Sequence, residues 1–307
     1  MIVNATNDNE RRLVISFSGG ETSAMMTALI HARMAGEYDA IRCVFANTGQ
    51  ENEQTLEFVR RCDEAFGLGV VWVEAEINPV RGEGVRGRAV TFDTAARDGR
   101  PFEDVIRKHG IPNKMWPHCT RELKARPIKA WLSANGWRPG SYDLAIGIRR
   151  DEIDRMSPNA KAERIIYPLV SRFPASKADV NAFWERQPFR LELKGYQGNC
   201  KWCWKKSLRK HLTIISETPE AYDFPERMER EYALAGNNPN GEPRVFFREE
   251  RSVADLRRIA ATTLFRPASD DARHYQRELF SFEMDAADGC EESCEVDFGD
   301  ETVANAA

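Results

Sequence analysis

The chain has 307 residues, 42% of them hydrophobic and 30% charged, which suits one large domain with appendages and a sizeable core. No apolar run approaches the ~18 residues that read as a transmembrane helix. The opening "MIVNATNDNERR" also lacks the apolar core of a signal peptide, so a cytoplasmic protein with no membrane partner is expected. Seven cysteines, an odd number in a chain of this length, argue against a disulfide scaffold and for thiol, metal or redox chemistry.

The net charge of −4 is unevenly spread. Residues 283–301 hold nine acids (Glu283, Asp285, Asp288, Glu291, Glu292, Glu295, Asp297, Asp300 and Glu301) and neither Lys nor Arg, leaving the rest of the chain at +5. A mildly basic body with an acidic, solvated tail is expected.

In chain order, "RLVISF" (12–17) is a short β-prone run, followed by "SGGETS" and a helical pattern closed near Gly36. "IRCVFAN" (41–47) is a second buried strand, 51–66 a charged amphipathic helix, and "GVVWVEA" (69–75) a third strand. This order predicts an α/β fold with a doubly wound, mostly parallel sheet. Residues 77–101, rich in Gly and Arg, read as a long loop. A helix is predicted over 121–136, broken or restarted at Pro127. "YDLAIGI" (142–148) and "ERIIYPL" (163–169) supply a fourth and fifth strand, and 176–186 a helix capped by Ser176 with Asp179 in its first turn. Three regions follow: a nucleotide-binding domain over 1–212 that includes a cysteine site, a helical extension over 213–282, and the acidic tail over 283–307.

The "SGGETS" loop, residues 18–23, closes the first strand and opens the first helix. Gly19 and Gly20 permit a tight turn that aims amides at an anion. The helix dipole faces the same spot, and Ser18, Thr22 and Ser23 add hydroxyls, with Glu21 between them. The Walker A spacing is absent. Asn47, Thr48 and Gly49 follow the second strand and share its sheet edge. After the fourth strand, "GIRRDEIDR" supplies Gly147, Arg149, Arg150 and Arg155, whose planar guanidinium groups suit phosphate or sulfate oxygens.

These segments, in this order over residues 12–210, resemble the phosphoadenosine-phosphosulfate (PAPS) reductase family of the PP-loop ATP pyrophosphatase superfamily. "SGGETS" is similar to the PP-loop, "NTGQENEQT" to the D-T-G-x-x-x-x-E-T segment, and "GIRRDEIDR" to G-x-R-x-x-E/Q. "YPLVSRFPASKADVNAFW" is similar to the segment P-L-x-x-W-T-x-x-D-V-W. The resemblance implies an adenine-nucleotide α-hydrolase-like sheet that binds ATP or an adenylyl sulfate, with Mg²⁺ on the phosphates.

"HCTRELKARP" (118–127) resembles C-C-x-x-x-K-x-x-P of the iron–sulfur adenylylsulfate reductases, keeping Lys124 and Pro127 but carrying Thr120 in place of the second cysteine. Those enzymes bind a 4Fe–4S cluster through that pair and a later C-x-x-C. Here Cys200 in "GNCKWCWKK" follows Cys119 by 81 residues, and Cys203 completes the C-x-x-C. Three thiolates, Cys119, Cys200 and Cys203, are therefore the expected ligands of a 4Fe–4S cluster, with zinc as the alternative. Related PP-loop tRNA thiolases hold a cluster on three cysteines with one iron open. His118, Cys290 and Cys294 are the candidate fourth ligands. Cys43 and Cys62 read as buried apolar residues.

Two reactions fit this pattern. In one, ATP activates an acceptor at the α-phosphate and sulfur then displaces AMP, with Arg149 stabilising developing charge; the acceptor is unknown, with nucleic acid a candidate because of Lys201, Lys205, Lys206, Arg209, Lys210 and the neighbouring tryptophans. In the other, Cys290 or Cys294 attacks the sulfur of PAPS or adenylylsulfate, and a thioredoxin-like reductant completes sulfite release. A non-enzymatic module with structural zinc is the third reading. The acidic surroundings of Cys290 and Cys294 disfavour their thiolates, and Glu21 and Thr22 depart from the Lys and Asp of many ATP pyrophosphatases.

Overall fold

The computed structural model describes residues 10–80, 82–198, 200–238 and 241–270. Cys290, Cys294 and the acidic tail lie outside the described residues.

β1 (Arg12–Ser16), β2 (Ala40–Asn47) and β3 (Val70–Ile77) alternate with α1 (Glu21–Arg33) and α2 (Glu53–Phe66), as predicted. β1 pairs in parallel with β2, and β2 with β3. Successive side chains point to opposite faces, and both faces are covered. Leu13, Ile15, Cys43 and Phe45 pack into one apolar cluster with α1 and α2, whereas Val14, Val44, Ala46 and Val73 pack into another. That is why these strands read as continuous apolar runs.

The segment 77–101 is where the sequence reading needs correction. It contains β4 (Val85–Val90), antiparallel to β3 along its whole length, and the start of α3 (Arg100–His109). β4, "VRGRAV", forms the sheet edge and is only partly buried, so its polar alternation resembled a loop. Its Gly87 admits the next helix closely: a Cβ there would lie 2.1 Å from the Pro127 carbonyl oxygen.

The helix predicted over 121–136 is two pieces. A π-helical turn, Arg121–Ala125, leads into α4 (Arg126–Ala134), with Pro127 in the first turn of α4 where a missing N–H does no harm. β5 (Asp143–Ala145) and β6 (Ile165–Ile166) are shorter than the apolar runs that announced them. β5 pairs in parallel with β1, giving the order β4-β3-β2-β1-β5-β6. The chain thus builds outward from β1 in one direction and then returns to build the other, making the β1/β5 junction the topological switch point.

α5 (Pro168–Ser171) precedes α6 (Lys177–Glu185), which has the expected capping box: Ser176 Oγ accepts from Asp179 N at 3.4 Å, and Asp179 Oδ2 accepts from Ser176 N at 2.8 Å. α7 (Leu208–Glu217) runs through the boundary expected at residue 212. It joins α8 (Asp223–Tyr232), α9 (Val253–Thr262) and α3 around a third apolar cluster, which contains Trp202, Trp204, Tyr222, Phe246 and Phe247. Among the described residues no helix is long and apolar enough to cross a membrane.

Candidate nucleotide and cysteine site

The loop after β1 turns at Gly19, whose φ of +83° is left-handed. A Cβ there would also approach Thr55 Cγ2 to 2.8 Å and Phe45 to 3.0 Å, so glycine is required twice over. Ser23 closes the loop: its Oγ accepts from Ser18 N at 3.2 Å, lies 2.8 Å from Ser18 Oγ and donates to Gly20 O at 3.0 Å. Gly20 is the N-cap of α1 and makes no side-chain cap hydrogen bond, and the positive end of the helix dipole lies at the glycine loop.

Arg149 follows β5 and reaches the same loop. Its side chain is 4% exposed, and Nη1 donates to Thr22 Oγ1 at 3.2 Å. Nε bonds Asp151 at 3.1 Å and Nη2 lies 3.4 Å from Glu152, fixing the guanidinium plane. Gly147 lies against Ser23, within 3.1 Å of its Cα for an added Cβ. The two segments predicted to share a ligand therefore meet. Arg150 and Arg155 are directed elsewhere, to Asp179 at 3.3 Å and Glu152 at 2.5 Å.

An uncancelled Glu21 carboxylate would repel a phosphate at this loop. The fold resolves this with Arg190, whose Nε and Nη2 each bond one Glu21 oxygen at 3.0 Å. Trp184 Nε1 also donates to the Glu21 carbonyl at 2.9 Å, locking the start of α1 to α6. Arg190 gave no signal in the sequence, because only the chain's return after α6 brings it here.

The loop after β2 is a support rather than an open donor set. Buried Asn47 donates to Glu74 Oε1 at 2.7 Å and to Ala96 O at 2.9 Å, and accepts from Gly49 N at 3.3 Å. Thr48 gives its N–H and hydroxyl to the two oxygens of Glu51, at 2.9 and 2.8 Å. The same loop grips the cysteine segment. Glu51 and Cys200 form an antiparallel bridge, Lys201 N donates to Gln50 O at 3.0 Å, and Trp202 Nε1 donates to Gln50 Oε1 at 2.6 Å. Cys200 Sγ lies 3.7 Å from Thr48 Oγ1. Gln50 and Glu51 were visible inside "NTGQENEQT", but their role depends on a segment 150 residues away.

Cys200 and Cys119 both border the cluster that contains Trp202 and Trp204. Cys203 is buried and follows in the same turn, its N–H donating to Cys200 O at 3.1 Å. Lys206 is 4% exposed and donates to the Gly198 carbonyl, which puts a buried cation beside the cysteine turn. Apolar rings border Cys119 and Cys200, and the Lys206 cation lies beside the Cys200–Cys203 turn. A lone zinc ion binds at about 2.3 Å from sulfur and needs tightly convergent ligands. Among the described residues no three His, Cys, Asp or Glu side chains converge to hold a single metal ion.

His118 is held by Nε2, 3.1 Å from the Gly110 carbonyl, and burial pushes its pKa down to about 4. The π turn after Cys119 is fixed by Glu122, a fully buried carboxylate bonded to Arg121 Nε at 2.9 Å and Arg126 Nη1 at 2.8 Å. Cys43 and Cys62 are buried, and burial raises both thiol pKa values.

Residues 12–96 match the family model of the phosphoadenosine phosphosulfate reductase domain. This domain match spans β1 to the turn after β4 and includes the glycine loop and the loop after β2. Over 302 residues the chain is 29% identical to the uncharacterized nin region protein ORF290 of Escherichia phage lambda, covering 94% of this chain and 99% of that protein. It is 23% identical over 249 residues to the uncharacterized protein MJ0066 of Methanocaldococcus jannaschii, covering 78% of this chain and 46% of that one. The reductase-domain match ends before Cys119, whereas the similarity to the phage protein extends through most of the chain.

Proposed function

We propose that the protein is a nucleotide-dependent enzyme of sulfur chemistry, which uses ATP to activate an acceptor for sulfur transfer. One observation carries this reading. The Cys200–Cys203 turn is hydrogen-bonded to the loop after β2, on the sheet edge where the glycine loop and Arg149 meet. Nucleotide and sulfur chemistry would then share one crevice.

The amides at the start of α1 bind the pyrophosphate portion of ATP, and Arg149, held rigid by Asp151 and Glu152, faces the charge that develops as the α-phosphorus is attacked. The acceptor oxygen bonds to the α-phosphorus and the bond to pyrophosphate breaks. A sulfide donor then displaces AMP from the acceptor carbon, which keeps the sulfur. Mg²⁺ neutralises the phosphates. Arg190 cancels the Glu21 charge that would repel them. An iron–sulfur cluster on Cys119, Cys200 and Cys203 would supply sulfur-binding or electron-transfer chemistry at this edge. Lys206 and the two tryptophans hold the thiols in a partly dry, cationic setting.

Anaerobic purification followed by iron and acid-labile sulfide analysis tests the cluster. Iron and sulfide are expected, with loss of both in Cys203→Ser; iron-free protein with full turnover overturns it. Pyrophosphate release from ATP tests the reaction. Sulfite release from PAPS with a thioredoxin-type reductant, and none of pyrophosphate from ATP, would replace this reading by sulfonucleotide reduction.

A further inference from the structure

At the carboxyl end of β3, two strands from the glycine loop, lies a pocket of about 660 Å³ that the reading above does not use. It is lined by Lys108, His109, Trp116, His118, Arg121 and Arg244 among others, and no acidic side chain lines it. Its cations are held in an unusual way. Lys108 Nζ donates to the backbone carbonyls of Asn78 and Glu83, each at 2.7 Å, at the turn between β3 and β4. Arg244 donates to the carbonyls of His109 and Asn237. Carbonyls orient these side chains without cancelling their charge, and neither has a carboxylate partner among the described residues. Arg121 does share Glu122, but Glu122 also serves Arg126, so one negative charge faces two guanidinium groups.

The remaining wall is aromatic. Trp116 is 46% exposed, with the Arg244 guanidinium carbon 4.9 Å from its ring centroid, and the adjacent Met115 is 79% exposed. A solvent-facing indole backed by an arginine, between uncancelled cations, is suited to a flat ring carrying phosphates. The pocket also adjoins the segment of Cys119, because His118, which lines it, precedes that cysteine.

We infer that this pocket binds single-stranded nucleic acid, with one unpaired base stacked on Trp116 and the flanking phosphates on Lys108 and Arg244. The strand would be the acceptor in the sulfur-transfer reading, and to that extent the inference rests on it. Its binding is measured without turnover, so the two can fail separately.

The test is fluorescence anisotropy of the full chain with labelled 15-nucleotide dT and rU strands, at low and moderate salt. Micromolar or tighter binding that weakens with salt is expected. Trp116→Ala should weaken it about tenfold, Trp116→Phe should recover most of the loss, and ATP binding by both variants should be unchanged. Strand binding that is absent, or equal in wild type and Trp116→Ala, overturns the inference. So does a pocket that takes free nucleoside monophosphate but no strand. As a check that needs no variant, 5-bromouracil-substituted strands should photocrosslink in wild-type protein to residues 113–121; crosslinks confined to other segments overturn it.

Discussion

The crevice at the β1/β5 junction and the pocket beyond β3 treat charge in opposite ways. In the crevice each charged side chain already has a counter-ion: Glu21 has Arg190, and Arg149 has Asp151 and Glu152. What remains to receive an anion is backbone, the uncapped start of α1, and this is fixed in shape by Gly19 and Ser23. In the pocket Lys108 and Arg244 are oriented by carbonyls and keep their charge. On the proposed reading the first arrangement would give geometric selectivity for a particular phosphate group, and the second attraction for phosphate in general. The sites should therefore respond to different substitutions.

Gly19→Ala should have the largest effect. The left-handed φ costs about 1–2 kcal/mol and the crowding against Thr55 about 1–3 more, read as a lower urea midpoint. Displaced loop amides should weaken ATP binding by on the order of 10²-fold in calorimetry, with strand binding unaffected. Equal loss at both sites would break the contrast.

Arg149→Lys keeps the charge but loses the planar fork that bonds Thr22 and Asp151 together. A drop of about 10²-fold in pyrophosphate release is expected, with nucleotide affinity falling less. A variant with unchanged turnover would remove Arg149 from the reaction.

Arg190→Gln should leave Glu21 uncancelled beside the phosphates and weaken ATP binding about tenfold. The Glu21→Gln/Arg190→Gln double variant should recover most of it. If the double variant is no better than the single one, Arg190 acts through packing instead.

The smallest effect is on stability. His211 is buried, with Nδ1 2.6 Å from Tyr222 Oη, and burial together with the nearby Lys206 and Arg248 charges lowers its pKa to about 3. The folded state keeps it neutral where the unfolded chain is protonated, so stability is full above about pH 6.5 and falls as pH drops toward 3. The slope from this group approaches about 1.4 kcal/mol per pH unit below pH 6 and is roughly half that between pH 7 and 6, and His211→Gln should be shallower than wild type by those amounts in urea titrations at pH 7, 6, 5 and 4.

Much of this was legible in the chain itself. The apolar runs of β1, β2 and β3 announce strands buried on both faces, and the capping pair Ser176–Asp179 announces α6. Gly19, between a strand and a helix, marks a tight turn because few other residues adopt its left-handed φ. Local sequence failed where burial is partial, as at β4, whose exposed arginines hide an edge strand.

The sequence alone therefore determined the strand–loop–helix unit around residues 12–33, since periodicity and glycine chemistry act over a few residues. Tertiary structure alone decided which charges are cancelled. Arg190 meets Glu21, Gln50 meets Trp202, and Lys108 meets the β3–β4 turn, because the sheet order carries distant segments to one edge. An ion pair leaves no local pattern in a chain; its two partners are chosen by the fold that makes them neighbours.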